Sequence, residues 1–203
     1  MFSSRSFLLP VTAMFVSAAS LSAAEESPYL LVKQGAEWTM EAKLISPKGS
    51  EMPAVGRRVI EEGVEKDGKK YFRERTWLEK DGKKLTEYTK LVRKDDTGFY
   101  SIMEGQEGAV EKREIVLPLK VGKSWEFPAR PDFMVKCTVI GLEAVTIGSK
   151  TYENCFHLRT SGAEGKYVED FWEAPIEGSV KSEGTYADGT KITLTIKEFK
   201  AGK

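Results

Sequence analysis

The sequence predicts an all-β fold: an antiparallel meander of about eleven strands in two similar halves, forming a curved sheet or an open barrel or sandwich. Three observations carry this expectation. Turn-forming pairs recur at strand-like intervals after residue 45. Several segments between them alternate apolar and polar residues with period two, and no long stretch of the chain beyond its first residues shows helical period with caps. Finally, one pattern, L-x-x-K-x-G-x-x-W, is written twice, in "LLVKQGAEW" and again in "LPLKVGKSW".

The N-terminus comes first. Arg5 precedes a run of apolar and small residues from Phe7 to Leu21, followed by Ser22, Ala24 and the acids Glu25 and Glu26. A charged start, a short apolar stretch and small residues before the cut describe a secretory signal peptide over 1–24. That run is too short and too rich in Ser and Ala to span a bilayer, and no later segment is apolar enough to cross one as a helix. The expected location is the periplasm or the outside of the cell. The remainder of the chain, 25–203, reads as a single β domain of two half-repeats, about 29–115 and 116–200.

Each half begins with the repeated element. Gly35 and Gly122 permit a tight turn, and Trp38 and Trp125 then open a strand and plug one end of the core. We read all four residues as structural. Hairpins come next. "EKDGKKYF" and "EKDGKKLT" each set Asp-Gly between extendable segments, and Asp-Gly tolerates positive φ at both turn positions. Their lysines read as protection of strand edges. Further turns are expected at 94–98, 104–108, 147–150, 161–165 and 186–191. The last strand is the cleanest, with Ile192, Leu194 and Ile196 on one face and Lys191, Thr193, Thr195 and Lys197 on the other.

Parts of the second half resemble a family of exported bacterial proteins of unknown function. Its pattern has a Pro-Leu-x-Val-Gly-x-x-Trp opener, a G-x-E-x-V-x-V hairpin strand and a late G-x-V-K. Pro118, Leu119, Val121, Gly122 and Trp125 match the opener. Gly141, Glu143, Val145 and Ile147 match the hairpin strand, Thr151 and Tyr152 its end, and Gly178, Val180 and Lys181 the late element. The departure is in the turn "GSKTY", where Gly148 comes before the family's glycine position. The resemblance implies antiparallel β architecture and an envelope location, and it implies no activity.

Composition and motifs narrow the chemistry. Lys plus Arg and Asp plus Glu balance at 31 each, spread along the chain, so no electrostatic footprint for nucleic acid is visible. His157 is the sole histidine and reads as a polar-face residue. No G-x-S-x-G occurs, no zinc or copper ligand set can be assembled, and "KDDTG" lacks the spaced ligands of a calcium loop. No metal or cofactor is expected. The two cysteines, Cys137 and Cys155, are a disulfide candidate in an oxidising compartment; buried free thiols are the alternative.

The enzyme question stays open and leans to no. A carboxylate-based hydrolase would draw on "YVEDFWEAP", which puts Tyr167, Glu169 and Phe171 on one strand face and Asp170 and Trp172 on the other. The reading favoured is a non-catalytic binding module for an apolar or lipid-like ligand or an envelope component, with an envelope structural or protein-interaction module as the alternative. The aromatic residues expected to line a cleft are Tyr71, Trp77, Tyr88, Tyr167 and Trp172.

Overall fold

The fold was obtained as a computed structural model, which describes residues 27–130, 133–162, 165 and 167–203. The predicted leader, 1–24, lies outside the described residues. Twelve strands, one more than the turn spacing indicated, occur in chain order. The first six are β1 (Glu37–Ile45), β2 (Glu51–Lys66), β3 (Lys69–Lys80), β4 (Lys83–Lys94), β5 (Gly98–Met103) and β6 (Lys112–Val116). The next six are β7 (Ser124–Arg130), β8 (Phe133–Ile147), β9 (Lys150–Gly162), β10 (Val168–Ala174), β11 (Gly178–Thr185) and β12 (Lys191–Lys200).

All belong to one antiparallel sheet of order β6-β5-β4-β3-β2-β1-β12-β11-β10-β9-β8-β7. Each strand therefore pairs with its sequence neighbour, except that β1 pairs with β12 and β6 does not pair with β7. The sheet curls into a nearly closed barrel whose seam is the β6–β7 step. Across that step the Trp125 indole Nε1 donates to the Glu114 carbonyl at 2.8 Å. Proline explains part of the seam. Pro128 in β7 has no N–H to give, and a strand carrying it suits a sheet edge.

The hairpins form where the sequence asks for them. At Asp67-Gly68 and Asp81-Gly82 all four residues have positive φ, between 50° and 73°, and the flanking lysines pair as Lys66 with Lys69 and Lys80 with Lys83. These lysines mark hairpin tips within the paired sheet. The edges are β6 and β7, so the reading of "DGKK" as edge protection is corrected.

The two openers make the same turn. Gly35 (φ 79°) donates its N–H to the Ile60 carbonyl at 2.7 Å, and Ile60 returns a bond to Ala36 at 2.9 Å. Gly122 (φ 84°) donates to Val139 at 2.9 Å, and Val139 returns one to Lys123 at 2.9 Å. Trp38, 2 % exposed, also anchors by its indole N–H, which donates to the Glu177 carbonyl at 2.6 Å.

The apolar core fills the end of the barrel where β1 begins. Trp38, Ile60, Val92, Val139, Leu158 and Val180 are all buried there. Burying each such side chain contributes about 1.5–3 kcal/mol. The segment before β1 crosses this end and seals it. Lys94 Nζ donates to the carbonyls of Ser27 and Tyr29, Ile176 N–H donates to the Pro28 carbonyl, and the Tyr29 ring packs edge-on against Phe156 at 4.9 Å. Leu30 drops from this segment into the core. A smaller cluster, Tyr71, Leu91 and Ile102, packs against Ala109 of the β5–β6 loop.

Candidate functional site

Above that core the barrel is hollow. A cavity of about 850 Å³ rests on Leu30, Trp38, Phe99 and Ile115, which belong to core and cavity floor alike. Its volume lies in the range of small-molecule sites, about 300–1,000 Å³. The apolar lining comes from Phe127, Ala129 and Val135 of β7 and β8, Phe171 of β10 and Leu194 of β12, with Glu169 and Glu173 on either side of Phe171. The side from β2 to β6 carries Arg58, Glu74, Lys90, Lys112 and Glu114.

These five form an alternating ionic ladder. Arg58 donates to Glu74 Oε2 from Nε at 2.8 Å and from the guanidinium terminus at 2.6 Å. Lys90 Nζ bridges Glu74 at 3.3 Å and Glu114 at 3.4 Å, and Lys112 reaches Glu114 at 3.4 Å. Ser101 Oγ donates to Glu114 at 2.5 Å. The Arg58 guanidinium also lies 4.4 Å from the centre of the Trp38 ring, joining the ladder to the core. Burial pushes the Glu74 and Glu114 carboxyls up, but Arg58 and Lys90 on the first, and Lys90 and Lys112 on the second, outweigh it. Both fall below their ordinary value. Lys90 moves the other way: burial lowers it, and Glu114 and Glu74 more than restore it. The ladder is ionised and internally satisfied.

β10 is different. Glu169 and Glu173 line the cavity, and neither forms an ion pair among the described residues. Burial raises both. It carries Glu173, 6 % exposed, to about 7, with the charge of Arg58 and a bond from Ser179 opposing it only in part. Burial likewise lifts Glu169, although Tyr167 Oη donates to its carboxylate at 2.5 Å. Glu173 can thus exchange a proton near neutrality. The two acids are four strand positions apart, roughly 13 Å at the usual rise.

Of the five aromatic residues singled out from sequence, two reach the cavity. Tyr88 and Tyr167 line it, the latter in phase with Glu169 and Phe171 as alternation required. The other three do not. Tyr71 is 2 % exposed in the small cluster near the β5–β6 loop, bonded to Glu111. Trp77 donates to Glu79 at 3.2 Å and lies between Arg75 and Lys84. Trp172 stacks on His157 at 4.5 Å and donates to Glu143 at 2.6 Å. His157 in turn contacts Asp170 at 2.7 Å, which Arg159 grips at 2.8 and 3.0 Å. These polar residues occupy the opposite face of β9 and β10 from the cavity.

The disulfide expectation is corrected: Cys137 and Cys155 are free and buried. They sit on paired strands but far out of register. Cys137 faces Thr160 across the β8–β9 ladder, whereas Cys155 faces Glu143. Five positions along β9 amount to about 16 Å, and a disulfide needs Cα atoms within about 7 Å. Burial raises Cys137 to about 12 and Cys155 to about 11, so neither is a thiolate at neutral pH.

The main site residues that sequence reading passed over are Arg58, Glu74, Lys90, Glu173 and Tyr186. A signal was present. Arg58 is in phase with Ile60, Glu74 with Phe72 and Lys90 with Val92, so charges occupy the apolar phase of three successive strands. Charges that recur in that phase on neighbouring strands mark the lining of a hollow. Among the described residues no three His, Cys, Asp or Glu side chains converge to hold a metal, and no helix is long and apolar enough to cross a membrane.

No protein-family model matches the chain, and no curated protein matches it in sequence. Solved structures do match in fold. A protein of Bacteroides fragilis, named for inferred export and a YmcC-like fold, aligns with a TM-score of 0.54 at 11 % identity, over 86 % of this chain and 99 % of its own. A Parabacteroides distasonis protein named as an inferred lipoprotein aligns with a TM-score of 0.51 at 12 % identity, over 86 % of this chain and 98 % of its own. At such identities the likeness is one of fold, and the all-β barrel architecture is common to the three.

Proposed function

We propose that this is an exported protein of the periplasm or extracellular space and a non-catalytic binding module for an apolar or lipid-like ligand held inside the barrel. The observation that carries the reading is the cavity: about 850 Å³, sealed at one end by the core and the 27–33 segment, with apolar side chains of β7, β8, β10 and β12 facing an ionic ladder. An interior of that size could have been filled by larger apolar side chains. The chain instead lines its β2–β6 side with charged residues that satisfy one another.

Export is supported by the leader-like N-terminus and by the names of the two fold neighbours. The resemblance to exported proteins of unknown function belongs to the same reading, as does the division into halves at about 29–115 and 116–200. The test is native mass spectrometry of protein purified from its own envelope. A retained amphiphile, released on denaturation and identified by mass, is the expected result. Repeated recovery of the bare polypeptide, with no uptake of added lipid, overturns the proposal.

A further inference from the structure

The mouth of the cavity is built from tyrosines around an acid. Tyr167, just before β10, and Tyr186, in the β11–β12 turn, have ring centres 5.8 Å apart at 49°. Tyr88 on β4 faces them from the opposite side of the barrel, and all three line the cavity. Tyr88 and Tyr186 are 44 % and 41 % exposed, which puts them at the opening. Glu169 lies among them. Tyr167 donates to its carboxylate, and a Cβ added to Gly184, its cross-strand partner, would stand 3.6 Å from the Tyr186 ring and 3.9 Å from Glu169 Cγ. Gly184 thus lies under both the ring and the acid, and a Cβ there would be tight only against Ile192 Cγ2, at 3.2 Å. Burial first, then Glu169 and Tyr88, push the Tyr186 hydroxyl up to about 12, so the rings stay neutral and electron-rich.

The charge around the cavity points the same way. Its walls carry four cations, Arg58, Lys90, Lys112 and Lys181, and four carboxyls, Glu74, Glu114, Glu169 and Glu173. Lys181 is engaged elsewhere: its ammonium lies over the Trp172 ring and pairs with Glu183 at 2.8 Å. The ladder uses the other three cations on two of the acids. Among the described residues the carboxyls of β10 form no ion pair, the charges of Arg58 and Lys90 acting on them without a direct contact, and one of them accepts from Tyr167 beside Tyr186.

Resting on the cavity proposed as the binding site, we infer that the ligand is a single-chain amphiphile with a substituted ammonium head, held by Tyr88, Tyr167, Tyr186 and Glu169 while its tail lies against Phe127, Val135, Phe171 and Leu194. Aromatic faces attract a cation by their quadrupole and suit weakly hydrated alkylammonium groups in particular. Glu169 supplies the counter-charge. At about 30 Å³ per water-sized unit, the cavity holds roughly 28 such units, enough for a head and one alkyl chain.

The test uses the full mature chain and four probes below their micelle concentrations: decyltrimethylammonium, decanol, decanoate and choline. Titration calorimetry should give decyltrimethylammonium roughly 10-fold tighter binding than decanol, with decanoate and choline weaker than both. Tyr186→Ala and Glu169→Gln should each remove most of that preference, read as the ratio of the decanol and decyltrimethylammonium dissociation constants. Tyr186 is half exposed at a turn, so its variant should fold; a urea transition checks this. Decanol binding with no preference for the ammonium overturns the cage and leaves the cavity reading intact. Choline binding as tightly as decyltrimethylammonium overturns the amphiphile. Tighter binding of decanoate overturns the sign of the head. Binding of no probe removes this inference together with the proposal it rests on.

Discussion

Glu74→Gln tests the ionic ladder, because the substitution keeps the shape and deletes the charge. Glu74 is 2 % exposed, and its Oε2 accepts both Arg58 bonds, at 2.6 and 2.8 Å, while Oε1 faces Lys90 at 3.3 Å. Without the carboxylate, Arg58 loses its ion-pair partner while buried, and Lys90 keeps only Glu114. Removing one partner of a buried pair typically costs about 3–5 kcal/mol, because the remaining charge keeps its desolvation penalty. Lys90 retains Glu114 at 3.4 Å, so the lower figure, about 3 kcal/mol, is expected here. With a urea dependence of about 2 kcal/mol per M, the midpoint should fall by roughly 1.5 M. The double variant Arg58→Met, Glu74→Leu removes both charges and should recover at least half of that loss, since apolar replacement of a whole buried pair is often neutral or better. Equilibrium unfolding followed by tryptophan fluorescence measures both. A single variant within about 0.5 M of wild type, or a double variant worse than the single, refutes the view that these groups are buried and mutually satisfied.

Glu173 predicts a pH dependence of the opposite sign to an ordinary ion-paired acid. Its folded-state value is raised from 4.5 to about 7, so the folded protein binds the proton more tightly, and stability falls as pH rises from 4.5 through 7. The integrated loss is about 3 kcal/mol, and Glu173→Gln should flatten the difference in urea midpoints across that window; parallel profiles for the two proteins would exclude a buried neutral acid. Trp125→Phe removes the indole bond across the β6–β7 seam and should cost about 1 kcal/mol, with faster amide exchange in β6 and β7 than elsewhere. Exchange unchanged at both strands would show that the indole does not hold the seam. Thiol titration of unreduced protein should give no fast reaction in the folded state and two thiols on denaturation, with the urea midpoint indifferent to reductant; absence of thiols after unfolding would reinstate the disulfide.

Legibility in the sequence followed the physics of each element. Asp-Gly turns were readable because few residue pairs tolerate positive φ twice, and both lie where expected. β12 was readable because Ile192, Leu194 and Ile196 face inward in strict alternation, and the cavity-facing phase of Tyr167, Glu169 and Phe171 followed from the same period. The two cysteines misled because counting a pair in an oxidising compartment says nothing of register, and along β9 the alternation itself breaks. Asn154 has φ 56°, and the β8–β9 register shifts nearby, between Glu143 and Val145. Tyr152 and Cys155 are then buried three positions apart, which no period-two count reproduces. Pairing of β1 with β12 left no local mark at all, since closure joins residues more than 140 positions apart.

Strand number explains why a hollow exists, and the side chains decide where it lies. Barrels of about eight strands can be filled by their own side chains, whereas wider ones leave space inside. Twelve strands here exceed that limit, even with the seam at β6–β7. At the β1 end the excess is taken up by Trp38 and by a chain segment, 27–33, laid across the opening. Farther up, apolar side chains on the β2–β6 wall would favour collapse or entry of any greasy solute. Arg58, Glu74, Lys90, Glu114 and Lys112 instead satisfy one another along the wall, so it is ordered without help from a ligand and gains little from one. Selectivity must then come from charged groups outside the ladder, and among the described residues of the cavity the acids of β10 are the ones without an ion pair. A ligand that neutralises Glu169 offsets a desolvation cost already incurred on folding; one that touches only the ladder offsets none.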